Sequence, residues 1–401
     1  MMLSLLIYAY ACGELSSRKI EQACHTDVAF RVITGNQFPD HTAIARFRQK
    51  HADKFAHLFT QVLALCAQAG LASVGIVAID GTKLASPAAL SSNKTGEQID
   101  KAVQQIIADA EAVDQAEDTE HGEGVRGDEP PAHLRGRKER RERFEEAKRI
   151  LEEKAAAQDA EHEQIVAERE RVAEETGAKT RGRKPVHPRD KKGAKPAKVN
   201  TTDPESKIMP VRKGGFVQGW NGQAAANEHQ VILAAEIVTD TNDTQLLRPM
   251  IDAITHELTQ VGITEPVGVL LADAGYATES ALATLAENDP DCFIATRNTY
   301  KNPEPRLGRR GPIPKDATLV QRMDRKVSTK HGKAVYRDRQ WIIEPVFGQI
   351  KHTRGITTLA RRGKQAAQAE WKLVTATHNL LKLFRHAHRP QMDGAFSTQT
   401  A

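Results

Sequence analysis

The reading of the fold turns on VGIVAIDGTKLASPA, Val74 to Ala88. Its first half is a short, continuous apolar run rich in β-branched residues and closed by Asp80. That is the texture of a strand buried on both faces. A second run of this kind, PVGVLLADAGY (266–276), is closed by Asp273. Between them, GFVQGWNGQAAAN (215–227) and QVILAAEIVTD (230–240) read as two further strands, and DCFIATR (291–297) as one more. Helices are expected over 244–260 and 277–288. Strands first, then helix and strand in alternation, predict an α/β fold in which helices cover a mixed sheet.

With 401 residues the chain can bury a full core and hold two or three domains. Its 57 basic and 52 acidic residues leave a net charge of +5, which permits a nucleic-acid partner without demanding one. The four cysteines, Cys12, Cys24, Cys66 and Cys292, form no CxxC pair. A disulfide framework and a zinc site are therefore not expected, and a reducing cytoplasm fits. The opening MMLSLLIYAYACG faintly resembles an export signal, but no basic residue precedes its apolar run and it is too short to span a bilayer. It reads instead as a core helix, and no membrane partner is expected.

Residues 1–70 read as all-helical. Asp40 is the expected N-cap of one long helix, with Ile44, Phe47, Phe55, Leu58, Val62 and Leu65 as its apolar stripe and Gly70 as its stop. With the helix SSRKIEQAC (16–24) before it, this is either a helix-turn-helix presenting Thr42, Arg46 and Arg48 to DNA, or a packing domain with solvated arginines. Residues 95–200 break the α/β order. KERRERFEEAKRILEEKAAAQDAEHEQIVAERERVAEE (138–175) reads as long, charged, partly coiled helix, and the basic stretch 177–198 as disordered. Within it RGRKP (181–185) is either a minor-groove contact or a solvated linker.

A third acid opens the helix in WIIEPVFGQIKHTRG (341–355). At helical spacing Glu344, Gln349, Lys351 and Arg354 share one side, which suits a site holding a metal beside a phosphate backbone. Ordinary salt bridges would suit it too. Asp80 and Asp273 close strands that can lie side by side, and a helix laid across them can add Glu344. Clustered carboxylates repel unless a cation neutralises them, and oxygen-only donors suit Mg²⁺. Two such ions can drive phosphodiester displacement. Arg354, Arg361, Arg362 and Lys364 form a basic stretch beside Glu344 where phosphate contact is expected. Lys83 is either a phosphate contact or solvated. Gln218 and Asn221 either border the metal site or satisfy backbone. Trp220, Trp371 and His378 read as packing residues.

AIDGTKLASPA (78–88), DPESKIMPVRKGGFVQGWNGQAAA (203–226), LLADAGYATES (270–280) and the run from Glu344 to Leu383 resemble the catalytic blocks of DDE transposases of bacterial insertion sequences. The likeness is to the broad group around insertion sequences four and five. Residues 5–51 resemble the helical domain that precedes those blocks, and the likeness extends over nearly the whole chain except 95–200. It implies an RNase H-like core with Asp80, Asp273 and Glu344 as the triad for two Mg²⁺ or Mn²⁺ ions, Asp80 bridging both. It also implies DNA as substrate, a dimer or larger assembly on element ends and target, and a nucleoid-associated protein of the cytoplasm. Lys351, seven residues after Glu344, matches the family's DNA-contacting lysine. Tyr336 and Arg339 match a tyrosine and an arginine that precede the glutamate, although Arg339 stands five residues before it where four is usual.

The domains expected are 1–70, helical, for DNA binding or assembly and shorter at its start than in the family; 71–94 with 201–385, catalytic; 95–200, the insertion; and 386–401, a tail. The expected activity is DNA strand cleavage and strand transfer. The rivals are a remnant that binds DNA without catalysis and a scaffold whose working part is 95–200.

Overall fold

The computed structural model describes residues 1–106, 108, 137–176, 185–190, 196–211, 214–296, 307 and 311–388. The chain divides into two compact units, one of residues 1–87 with 209–401 and the other of residues 88–208.

The first unit begins with five helices, α1 (Met2–Ala11), α2 (Ser17–Thr26), α3 (Val28–Thr34), α4 (His41–Lys50) and α5 (Lys54–Gln68). Asp27 and Asp40 cap α3 and α4, each carboxylate accepting two backbone N–H groups of the first turn. The single long helix expected from Asp40 to Gly70 is broken at 51–53, where no glycine or proline marks the break. Beyond the break the buried face is Phe55, Phe59, Val62, Leu63 and Cys66. Leu65, expected inside, is exposed.

Next comes β1 (Ile76–Ala85), the hub of the sheet. Two residue pairs of the second unit, β2 (Asn93–Lys94) and β3 (Val199–Asn200), form a small ladder of their own. The main sheet is completed by β4 (Lys207–Pro210), β5 (Phe216–Asn227), β6 (Ile232–Val238), β7 (Val269–Ala272) and β8 (Asp291–Ile294). Its order is β4-β5-β1-β7-β8, with β6 also paired to β5. β1 lies antiparallel to β5 and parallel to β7, and β7 is parallel to β8. This is the mixed sheet the sequence predicts, in an RNase H-like α/β order.

In the second unit α6 (Arg137–Thr176) is a single helix of 40 residues. Exposed i,i+4 pairs such as Arg141–Glu145 and Arg149–Glu153 line it, and at such exposure they add little to stability. The segment is less bare of apolar groups than its composition suggests. Ile99, Phe144, Ala147, Ile150, Leu151 and Val199 make a small separate core. The parts of the basic stretch at 177–184 and 191–195, including most of RGRKP, and the tail beyond 388 lie outside the described residues.

The first unit continues with α7 (Leu247–Gln260), α8 (Glu279–Ala283), α9 (Leu319–Ser328), α10 (Lys330–Arg337), α11 (Arg339–Ile342), α12 (Glu344–Gly348) and α13 (Lys364–Ala387). Every residue of α13 from Trp371 to Asn379 is buried, because the helix packs against α1 and α5 as well as β6. Its amides finish the open edge of β6: Asn379 bonds both the N–H and the C=O of Ile232 at 2.8 Å, and Gln368 does the same between Ile237 and Ala235. An exposed strand edge is an aggregation hazard, and here a helix covers it. His378 is buried, and burial pushes its imidazole down to about 3 while Nε2 bonds the Gln230 carbonyl at 2.9 Å. Trp371 packs on Gly222 and donates its indole N–H to the Gln223 carbonyl at 2.9 Å. Trp371→Ala removes this large buried side chain and is expected to cost about 3–5 kcal/mol, read as a lower urea midpoint at unchanged m-value.

Candidate active site

The ends of two parallel strands define the site. Val77, Ala78 and Ile79 are buried on β1, and Ala78 is the last β1 residue in register with β7, opposite Leu271. β7 stops at Ala272, so Asp273 is the first residue past it, while β1 runs on alone on that side. Asp80 therefore lies within β1 rather than at its end, because pairing with β5 carries the strand through Gly81, Thr82 and Lys83 to Ala85. In open α/β sheets the crevice beyond the carboxyl ends of parallel strands is where ligands bind.

Asp273 opens a 3₁₀ turn, Ala274–Tyr276, and accepts the Gly275 N–H at 2.8 Å. Asp80 is partly buried, with Oδ1 on the Gly81 N–H at 2.8 Å and Oδ2 on Arg339 Nη2 at 2.6 Å. The other arm of that guanidinium, Nη1, reaches Glu344 Oε1 at 3.3 Å. Arg339 thus joins two of the three expected acids, despite its five-residue spacing from Glu344. Burial opposes its charge, but Asp80 foremost, with Tyr336, Asp273 and Glu344, raises its pKa.

Burial pushes the Asp80 carboxyl up to about 6; Arg339 draws it down, while Asp273 and Asp243 push it further up. Asp243 was not in the expected set. It follows β6, and its Oδ1 accepts the side-chain amides of Asn221 at 2.8 Å and Gln223 at 2.7 Å. An aspartate at a strand end is too common a feature to stand out in sequence, and its partners lie about twenty residues away. Tyr336, half-buried beside Arg339, has its hydroxyl pushed up to about 12, mainly by burial.

The helix carrying Glu344 departs from the expected geometry. After Gly348 it opens into one π turn, Gln349–Thr353. Such a turn inserts an extra residue into the helical count and is frequent at functional sites. The four residues expected on one side consequently diverge. Glu344 points to Arg339, Gln349 to Gln230, and Lys351 to β1, where Nζ bonds Thr82 Oγ1 at 2.8 Å and the Lys83 carbonyl at 2.7 Å. Arg354 turns inward. It is buried, its guanidinium on the Tyr10 and Val374 carbonyls and Thr377 Oγ1, and burial lowers its pKa to about 10.

Phosphate contact by Arg354 is therefore corrected to a structural role. The same holds for Arg48, buried with its donors on Tyr10, Leu15 and Ser17. Arg46 and Arg362 are exposed, and Arg361 is half-buried beside Glu370. Lys83 is half-buried, its pKa lowered by burial against the opposing pull of Asp243, Asp80 and Asp273. Gln218 is buried on β5, with its carbonyl on the Ser86 N–H.

The donor chemistry, carboxylate oxygen only, is that of a hard divalent cation. One guanidinium serves two of the carboxylates, Asp80 and Glu344. As arranged around Arg339, no three His, Cys, Asp or Glu side chains among the described residues form a group that could hold an ion. The residues fit a cation by kind, and the Glu344 side chain is 56% exposed.

Residues 175–380 match the family model described as the transposase DDE domain, and residues 1–50 match a transposase domain, DUF772. The first match takes in just over half of the chain, which therefore belongs to the DDE transposases. It includes Asp273 and Glu344 and begins after Asp80, whose place in the site rests on the sheet register. No curated protein and no solved structure matches the chain. Among the described residues no helix is long and apolar enough to cross a membrane.

Burying the Asp80 carboxyl carries a stability cost. With its pKa raised to about 6 in the fold against about 3.9 unfolded, Asp80 retains its proton longer in the folded chain. Stability is then lost as pH rises from about 4 through 6. In EDTA at pH 7.5, Asp80→Asn is expected to raise the unfolding free energy by roughly 2–3 kcal/mol. The gain should fade towards pH 4; a loss at pH 7.5 would show the Asp80–Arg339 pair to be net stabilising.

Proposed function

We propose that this transposase cuts DNA at the ends of its element and joins the freed 3′ end to target DNA, using Asp80, Asp273 and Glu344. The observation that carries this reading is the convergence of Asp80 and Asp273 at adjacent parallel strands, with Glu344 tied to Asp80 through Arg339. The three carboxylates would hold two divalent ions, Mg²⁺ or Mn²⁺. When bound, such ions lower the pKa of water and stabilise the leaving oxygen in an in-line displacement.

The chain's own basic groups grip the DNA. Lys351 is pinned to β1 by two of its three N–H donors, which leaves one for a phosphate oxygen. Arg339 brings a planar fork suited to the same group. The Tyr336 hydroxyl, with its pKa near 12, stays protonated at neutral pH and can donate. Exposed Arg46 and Arg362 add backbone contacts, which set register without reading sequence. Two element ends call for two copies of the chain, and a nucleoid location follows from the substrate.

The deciding assay is nicking and strand transfer on DNA bearing the ends that flank the gene, with Mg²⁺ or Mn²⁺ against EDTA. Asp80→Asn and Glu344→Gln should each lower the rate by more than the roughly 10–100-fold typical of a residue that only supports a ligand. Binding with no metal-dependent product in the wild-type chain would favour a remnant. Lys351→Ala should weaken DNA binding similarly across sequences and reduce the salt slope by about one.

A further inference from the structure

Asp243 lies at the start of a hydrogen-bonded path to Tyr276, in the turn that Asp273 opens. Its Oδ1 accepts two amide N–H groups from β5, those of Asn221 and Gln223. Gln223 Oε1 in turn accepts the Tyr276 hydroxyl. Tyr276 is fully buried and closes the 3₁₀ turn that Asp273 opens, where the Gly275 N–H holds Asp273 Oδ1.

Two glycines keep the room this path needs. A Cβ on Gly81 would come within 2.3 Å of Gln223 Nε2, 2.7 Å of Asn221 Oδ1 and 2.8 Å of Asp243 Oδ1. One on Gly275 would lie 3.0 Å from Asp273 Oδ1 and 3.4 Å from Asp243 Oδ2, so the two acids flank a single point. Asn221 is fully buried, and its Oδ1, which accepts no donor, faces the same space above Gly81. Among charged groups, Asp243 acts most strongly on both Lys83 and Tyr276.

We propose that Asp243 is a positioning residue of the catalytic centre: by fixing Gln223, and through it Tyr276, it sets how Asp273 offers its carboxylate to a divalent cation. This rests on the assignment of Asp273 to the metal centre made above. Groups that orient a metal ligand typically contribute 10–100-fold in affinity.

The test is an Mn²⁺ titration of the full chain followed by electron paramagnetic resonance, with a thermal melt of each variant. Asp243→Ala is expected to weaken Mn²⁺ binding at least about tenfold. Tyr276→Phe, which removes one hydroxyl, should weaken it in the same direction. Asp243→Asn keeps an oxygen able to accept both amides and should stay within about threefold of wild type, whereas it would match Asp243→Ala if charge alone mattered. Asp273→Asn is the control. If it binds Mn²⁺ as wild type does, the assignment of the centre fails. If it weakens binding while Asp243→Ala and Tyr276→Phe do not, the positioning role alone is overturned. Asp243→Asn as weak as Asp243→Ala overturns that role too. Should Asp243→Ala fail to fold, Tyr276→Phe decides.

Discussion

A helix buried on every side must find a partner for each polar group it carries, and α13 sets this condition for the catalytic unit. Lys372 is buried against Glu257 at 2.8 Å, with Glu236 at 3.2 Å. Glu370 accepts the Tyr10 hydroxyl on one oxygen and the backbone N–H groups of Ala360 and Arg361 on the other. Breaking such a buried pair from one side leaves an uncompensated charge, which costs about 3–5 kcal/mol. The partners come from the N-terminal helices, from α7, from β6 and from the loop before α13. Satisfying α13 therefore fixes three layers at once. The Trp371 indole bonds the main chain of Gln223, the same residue whose side chain joins Asp243 to Tyr276.

The acids stand on a rigid frame for a reason that electrostatics makes plain. Like charges brought together in a poorly solvated place push one another towards the protonated form. A loose loop would relieve this by moving apart. Asp80 cannot, because β1 is bonded on both flanks up to Ala78 and on one flank thereafter. The strain of holding charge in place is the usual companion of a working site, which gives up stability for function. Arg339 offsets part of it from α11, a helix of only four residues.

Much of this was legible in the chain itself. The apolar β-branched runs located β1, β5, β6, β7 and β8, and two runs closed by aspartate foretold neighbouring strands. What escaped depended on partners distant in sequence. Arg48 and Arg354 look like surface cations until Tyr10 is seen to receive both of them. The π turn after Gly348 has no sequence mark of its own, and it redirects Lys351 and Arg354 from a side they share in an ideal helix. The break between α4 and α5 shifted the apolar stripe in the same way. Asp243 becomes visible only with Asn221, Gln223 and the bare α-carbon of Gly81 around it.

The ladder between β2 and β3 brings Asn93–Lys94 against Val199–Asn200, although more than a hundred residues separate them. Asn200 tightens this neck by donating to the Ala89 carbonyl and accepting from Thr202 and Asp203. The neck is tied to α6 as well: Val199 packs with Phe144, Ile150 and Leu151, so replacing the long charged helix would strip the apolar cover from the ladder.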